Sequence, residues 1–229
     1  MTSAKYQNCF DLLRLILAGA VVYTHSYLLG GFGTEGFLDF NKGQTIAGRV
    51  AVLGFFGLSG YLVTASFIKR NSPTSYLLSR IKRIFPAFLV LTKYLPFFLA
   101  FATGALLQLF REHTRLDAPQ TIGLALAALV LLKFGGWNLC APVLLPILLI
   151  NVAELVTVRL KHDLSYGIYI YGFPCQHLLA AMEWPRSHFL LFFGCSLAAS
   201  AFCASLSWFL VERRFLYGQR AKKSPNAVS

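Results

Sequence analysis

Long apolar runs alternate with short polar stretches along the whole chain. Six runs, at about 10–31, 45–68, 84–108, 137–158, 164–183 and 187–211, each approach the ~20 residues that a helix needs to cross a bilayer. A seventh, 121–134, is shorter and stops at Gly135-Gly136. Its length suits a re-entrant or buried segment better than a span. The pattern predicts an all-α fold, a polytopic transmembrane helix bundle of about six full spans plus one short apolar segment. It also predicts one integral-membrane domain over 1–229.

The polar stretches suggest an orientation. The stretch 69–83 carries Lys69, Arg70, Arg80, Lys82 and Arg83 without an acid, which places it on the cytoplasmic side. The tail holds Arg213, Arg214, Arg220, Lys222 and Lys223 and belongs to the same side. Loop 32–44 is Gly-rich and sets Glu35 and Asp39 against Lys42, so it falls outside. From there 10–31, 45–68 and 84–108 alternate, loop 109–120 falls outside, and Arg159-Lys161 falls inside. A single crossing, 137–158, joins those two points, so 121–134 is not counted as a span and both termini lie in the cytoplasm. Ala18-Gly19-Ala20 has the look of a signal-peptide cleavage site, but Asp11 and Arg14 interrupt the run and hydrophobicity continues beyond it. The start therefore reads as an uncleaved first span.

Composition agrees with lipid as the solvent. Hydrophobic residues make up 56% and charged residues 13%, against about 25% charged in an ordinary soluble domain. The net charge of +12 would suit nucleic acid in a soluble protein. Here the basic residues flank apolar runs, so they read as topology signals and contacts to anionic membrane lipids, with no nucleic-acid partner. Cys9, Cys140, Cys175, Cys195 and Cys203 form no Cys-x-x-Cys and read as free thiols packed among helices. No His-Glu-x-x-His or Cys/His cluster calls for a metal.

Ionisable groups within hydrocarbon are costly and mark function or a buried partner. The first span holds Asp11, Arg14 and His25. Eleven residues separate Arg14 from His25, a net rotation of roughly 20° and a rise of about 16 Å, so both share one helical face. Asp11 precedes Arg14 by three and lies on that stripe. One reading has Arg14 snorkelling to the cytoplasmic surface and His25 at the outer headgroups. The other makes His25 a general base for a hydroxyl, with Arg14 and Asp11 shaping a polar cavity.

The second span starts with Arg49 and contains Gly54, Gly57, Ser59 and Gly60, small residues that let another helix approach closely. Gly57-Leu58-Ser59-Gly60-Tyr61 lacks the final glycine of a hydrolase nucleophile elbow, so no serine hydrolase is inferred. Arg80 and Arg83 precede the third span at i and i+3. They serve either as a positive-inside anchor or as two guanidinium forks for phosphate oxygens of a cytoplasmic nucleotide-bearing donor.

Taken in order, these residues resemble the acyltransferase-3 family of membrane O-acyltransferases. The resemblance rests on Arg14 and His25, on Phe55-Phe56-Gly57-Leu58-Ser59-Gly60-Tyr61-Leu62-Val63-Thr64, and on Arg80-x-x-Arg83-Ile84-x-Pro86. Leu164-Ser165-Tyr166-Gly167-Ile168-Tyr169-Ile170-Tyr171 and Val211-Glu212-Arg213 extend it. It covers roughly 5–110 and 140–217. It implies transfer of an acyl group, usually acetyl, from cytoplasmic acyl-CoA (acetyl-CoA) to a hydroxyl of a saccharide or bacterial surface glycan at the inner membrane. On that pattern His25 is catalytic, Arg14 is its motif partner, and Arg80 and Arg83 bind the coenzyme A phosphates, with no permanently bound cofactor. The family's middle segment has no counterpart, and Arg214 stands where its closing motif has proline. A shortened, non-catalytic remnant is therefore the alternative. A transporter built on Arg14, His25, Arg49 and Lys93 is a further one, weakened by the absence of an inverted repeat. His113, His162, His177 and His188 read as surface residues, while Lys133 and Glu154 have no assigned role.

Overall fold

A computed structural model describes residues 7–68, 91–156, 158, 164–182 and 188–208. Arg80, Arg83, His162, Arg159-Lys161 and Val211-Glu212-Arg213 lie outside them, as does the side chain of Lys93. The described residues form helices without strands: α1 (Gln7–Gly30), α2 (Gly36–Phe40), α3 (Ala47–Ile68), α4 (Leu91–Leu109), α5 (Ala118–Phe134), α6 (Trp137–Leu155), α7 (Ser165–Ala181) and α8 (Phe189–Ser207). This is the expected helical membrane bundle. Among the described residues four helices are long and apolar enough to cross a membrane: Cys9–Gly30, Ala47–Ile68, Trp137–Leu155 and Phe189–Ser207. Tyr94–Leu109 and Ala118–Phe134 are shorter apolar helices. The chain groups into two compact units, Met1–Leu13 with Glu35–Leu160, and Arg14–Thr34 with Lys161–Ser229.

In the first unit α3, α4 and α6 pack through small residues. A Cβ on Gly60 would fall 2.0 Å from the Phe101 carbonyl oxygen, and one on Gly104 would fall 2.0 Å from that of Gly57. The two backbones therefore meet at Gly60 and Gly104, as small residues permit between membrane helices. Gly57 also lies against the Pro146 ring of α6. Before the crossing, Phe56 meets Phe97 with ring centroids 5.4 Å apart. Beyond it, Tyr61, Leu107 and Arg111 line one hollow. Helices α3 and α4 thus run in the same direction, so that Ile68 and Leu91 lie at opposite ends of the pair. This corrects the simple alternation expected of 45–68 and 84–108.

The short segment at 121–134 also needs correction. Helix α5 starts three residues earlier, at Ala118, and has 17 residues. Asp117 and Gln120 form a capping box at its start, with the Gln120 side chain accepting from Asp117 N–H at 3.1 Å. Gly135 and Gly136, at φ +122° and +91°, stop it and turn the chain into α6, conformations that only glycine adopts readily. Gln44, from the loop before α3, joins this turn. Its Nε2 donates to the carbonyls of Leu132 at 2.7 Å and Leu131 at 3.1 Å, and its Oε1 accepts from Trp137 N–H at 3.1 Å. One amide thereby satisfies backbone groups left open at a helix end and a helix start.

At the other end, Glu154 near the close of α6 pairs with Arg111 and Arg115, both in the α4–α5 loop. Helix α5 therefore runs the length of α6 in the opposite direction. Loop 109–120 and the end of α6 that leads toward Arg159 share one end of the unit, where the parity argument had set them on opposite sides. The count failed because it treated α5 as too short to traverse.

In the second unit, α8 buries Phe192, Ser196, Ser200 and Ala204, a stripe spaced by four. The Ser196 and Ser200 hydroxyls donate to the carbonyls of Phe192 and Ser196, each at 2.6 Å, so neither is an open polar group in the packed face. Gly167 of α7 sits against Ala204, and the sulfurs of Cys175 and Cys203 lie 3.8 Å apart. Tyr23 and Tyr27 of α1 pack on Phe189, with centroids at 5.5 and 4.3 Å.

Candidate functional site

Helix α1 carries both residues of the predicted catalytic pair. Arg14 and His25 are each half-buried, on the face that helical spacing gave them. The second unit supplies what surrounds His25. Its imidazole meets the ring of Phe173 from α7 edge-on, with centroids 5.3 Å apart, and Phe173 meets the His177 imidazole at 4.5 Å. Nδ1 of His25 is buried and has no hydrogen-bond partner among the described residues. In the tautomer carrying its proton on Nε2, that nitrogen offers a lone pair inside the bundle, free to accept from a hydroxyl brought against it. His177 is exposed, in accord with the surface reading.

One turn of α1 beside His25 carries a polar cluster that sequence reasoning missed. Gln176 of α7 and Ser26 of α1 are both fully enclosed. Gln176 Nε2 donates to the Val22 carbonyl at 2.8 Å and to Ser26 Oγ at 2.7 Å. Ser26 Oγ in turn donates to the Val22 carbonyl at 2.8 Å. Gly172, one turn before Gln176, admits Val22: a Cβ there would lie 3.0 Å from Val22 Cγ2. The available signal was a glutamine inside an otherwise apolar helix, Phe173-Pro174-Cys175-Gln176-His177, because an amide in hydrocarbon needs partners.

The first unit holds a second missed cluster. Glu154 accepts from Tyr61 Oη at 2.7 Å, and from Arg111 Nε and Arg115 Nε at 2.9 Å each. Asn151 Oδ1 accepts from Leu116 N–H at 2.8 Å. These groups enclose a hollow of about 10 Å³, room for about one water molecule. Its size suits a structural joint between α3, α6 and the α4–α5 loop rather than a substrate site. Lys133, likewise unassigned from sequence, lies over the Phe40 ring with Nζ 4.9 Å from the centroid. No group of three or more potential metal ligands occurs among the described residues.

Residues 7–92 match a family described as an acyltransferase domain. Over this segment, less than half of its length, the chain is similar to the acyltransferase-3 family. The matched segment takes in α1 to α3, and so Arg14 and His25, together with Arg80 and Arg83. Two relatives match over a similar length. The O-acetyl transferase of Shigella phage Sf6 is 40% identical over 92 residues, which are 40% of this chain and 26% of that protein. Nodulation protein 10 of Rhizobium leguminosarum bv. viciae is 40% identical over 90 residues, 38% of this chain and 24% of that protein. The chain thus aligns with about a quarter of the length of these relatives. No solved structure matches it.

Proposed function

We propose that this protein is a membrane O-acyltransferase that moves an acyl group, acetyl by analogy with the phage relative, from acyl-CoA to a hydroxyl of a saccharide or surface glycan. The observation that carries the reading is a buried imidazole nitrogen without a partner among the described residues, on a span-length helix within the segment that matches the family. An unsatisfied polar atom at such depth is expensive unless something visits it.

His25 is the general base. It takes the proton of the acceptor hydroxyl as the oxygen attacks the thioester carbonyl. The new carbon–oxygen bond forms, the carbon–sulfur bond breaks, and the proton passes to the departing coenzyme A thiolate. Arg14 lies about 16 Å from His25 along the same face, too far to share that step directly, and holds the polar face of α1 toward its other end. Arg80 and Arg83 bind the donor's phosphates from the cytoplasm, with the termini on that side of a bacterial inner membrane.

The test uses vesicles containing the full chain, labelled acetyl-CoA and a glycan acceptor. Label should enter an ester on the acceptor. Arg80→Ala/Arg83→Ala should weaken donor binding at least 10-fold, since each charge-assisted contact is worth about 1.5–3 kcal/mol. A wild-type chain that binds acetyl-CoA no better than this double variant contradicts the donor assignment. Solute flux without any acyl donor would favour a transporter.

A further inference from the structure

The amide of Gln176 is fixed by chemistry, not only by packing. Both hydrogens of Nε2 are used, one on the Val22 carbonyl and one on Ser26 Oγ. Turning the amide over would set Oε1 against the Val22 carbonyl, two acceptors in contact. Ser26 cannot relieve this, because its own hydrogen is given to the same carbonyl. Oε1 therefore must be the free end. It is buried and has no hydrogen-bond partner among the described residues, on a side chain with no exposed surface. Such an orphan acceptor is costly, and only an O–H or N–H donor can satisfy it.

The neighbouring residue on α1 supplies a second orphan. His25 precedes Ser26, the residue to which Gln176 is bonded, and its ring packs on Phe173, one turn before Gln176 on α7. His25 Nδ1 and Gln176 Oε1 are thus two unpartnered acceptors, among the described residues, on side chains that flank the same contact between α1 and α7. One acceptor atom suits a single hydroxyl. Two on side chains that flank one helix contact suit a ligand carrying two neighbouring hydroxyls.

We propose that Gln176 is the specificity-determining residue of the acceptor site: its Oε1 and His25 Nδ1 together receive a vicinal diol, as found along one edge of a sugar ring. The inference rests on the acyltransferase reading and deepens it. One hydroxyl donates to His25 and is the one to be acylated. Its neighbour donates to Gln176 and sets which hydroxyl is presented. A mono-alcohol leaves Oε1 unsatisfied and is disfavoured for that reason.

The test needs no knowledge of the natural acceptor. Full-length chain with ¹⁵N-labelled histidine in lipid nanodiscs is titrated with cis-1,2-cyclohexanediol, trans-1,2-cyclohexanediol and cyclohexanol. The His25 resonance is assigned by its loss in His25→Gln. At least one diol should perturb that resonance with an affinity roughly 10-fold or more above cyclohexanol, the scale of one buried hydrogen bond. In Gln176→Met the preference should fall to about 2-fold or less. Should that variant not fold, Ser26→Ala replaces it: with one of the two bonds that hold the amide removed, the preference should fall several-fold.

Equal affinity of all three probes for the wild type identifies a seam that holds only water and overturns the proposal. So does a preference unchanged in Gln176→Met or Ser26→Ala. Acetyl transfer measured in parallel separates this inference from the reading beneath it. Diol-selective binding without any acetyl transfer sinks the transferase alone. Transfer to cyclohexanol and the diols with equal efficiency sinks the diol site alone.

Discussion

At the scale of single residues, Glu154 is the most consequential charge in the first unit. Its side chain is 10% exposed, whereas those of Arg111 and Arg115 are 30% and 49% exposed. Removing the carboxylate leaves two guanidiniums facing each other and the Tyr61 hydroxyl without its acceptor. Breaking a buried pair from one side costs about 3–5 kcal/mol, and the half-exposed arginines put Glu154→Leu toward the lower end of that range. Tyr61→Phe should cost about 1.5–3 kcal/mol, as for a hydrogen bond to a charged group. Arg115→Ala should cost about 1 kcal/mol or less, because solvent screens its exposed side chain. Denaturant unfolding in detergent micelles checks the order. An Arg115 variant weaker than the Glu154 variant would contradict it. Sequence could not foresee this joint, since Glu154 and Arg111 are 43 positions apart and neither stands in a motif. His25 stood out as a candidate because an imidazole in a long apolar run is costly to dehydrate. Gln176 was overlooked because one amide beside a histidine near a span end passes for interface chemistry.

At the scale of helices, the apolar runs located the helices, four of them long and apolar enough to cross among the described residues, but not their directions. Hydrophobic length says that a segment can cross, and nothing in the period of α3 or α4 says which way its neighbour runs. Their parallel course depends on the backbone contact at Gly60 and Gly104, where a side chain has no room. Gly60→Ala would drive its Cβ into the Phe101 carbonyl, so the helices must separate. The expected cost is at least ~1–3 kcal/mol, the usual penalty of overpacking. Gly123→Ala provides the contrast: a Cβ there meets nothing within 4 Å, and the change should be neutral or stabilising by up to about 1 kcal/mol. Thermal unfolding of the two variants decides between them. Equal effects would mean that the α3–α4 contact is not tight. The turn at Gly135-Gly136 was readable as a stop signal. That Gln44 would reach across to close it was not, since the bonds join residues 87 and 88 positions apart.

At the scale of the whole chain, the position of loop 109–120 follows from the Glu154 pairs. With the five cysteines replaced by serine, Glu112→Cys and Val156→Cys should react with a membrane-impermeant maleimide from the same face of sealed vesicles. Lys42→Cys should react from the opposite face. Labelling of residues 112 and 156 from opposite faces would restore the original parity argument. The helical membrane character was plain from composition, and the family resemblance over 7–92 from Arg14, His25 and the Gly57–Gly60 stretch. The side on which each loop emerges was not, because one miscounted segment inverts everything after it. The claim on which the functional account turns is that His25 accepts a proton from the acceptor. Steady-state acetyl transfer by the full chain in proteoliposomes, wild type against His25→Gln, tests it most directly. The account predicts that kcat falls roughly 10²–10⁴-fold, the contribution of a general base, while KM for acetyl-CoA stays unchanged. A kcat equal to wild type in His25→Gln would contradict it.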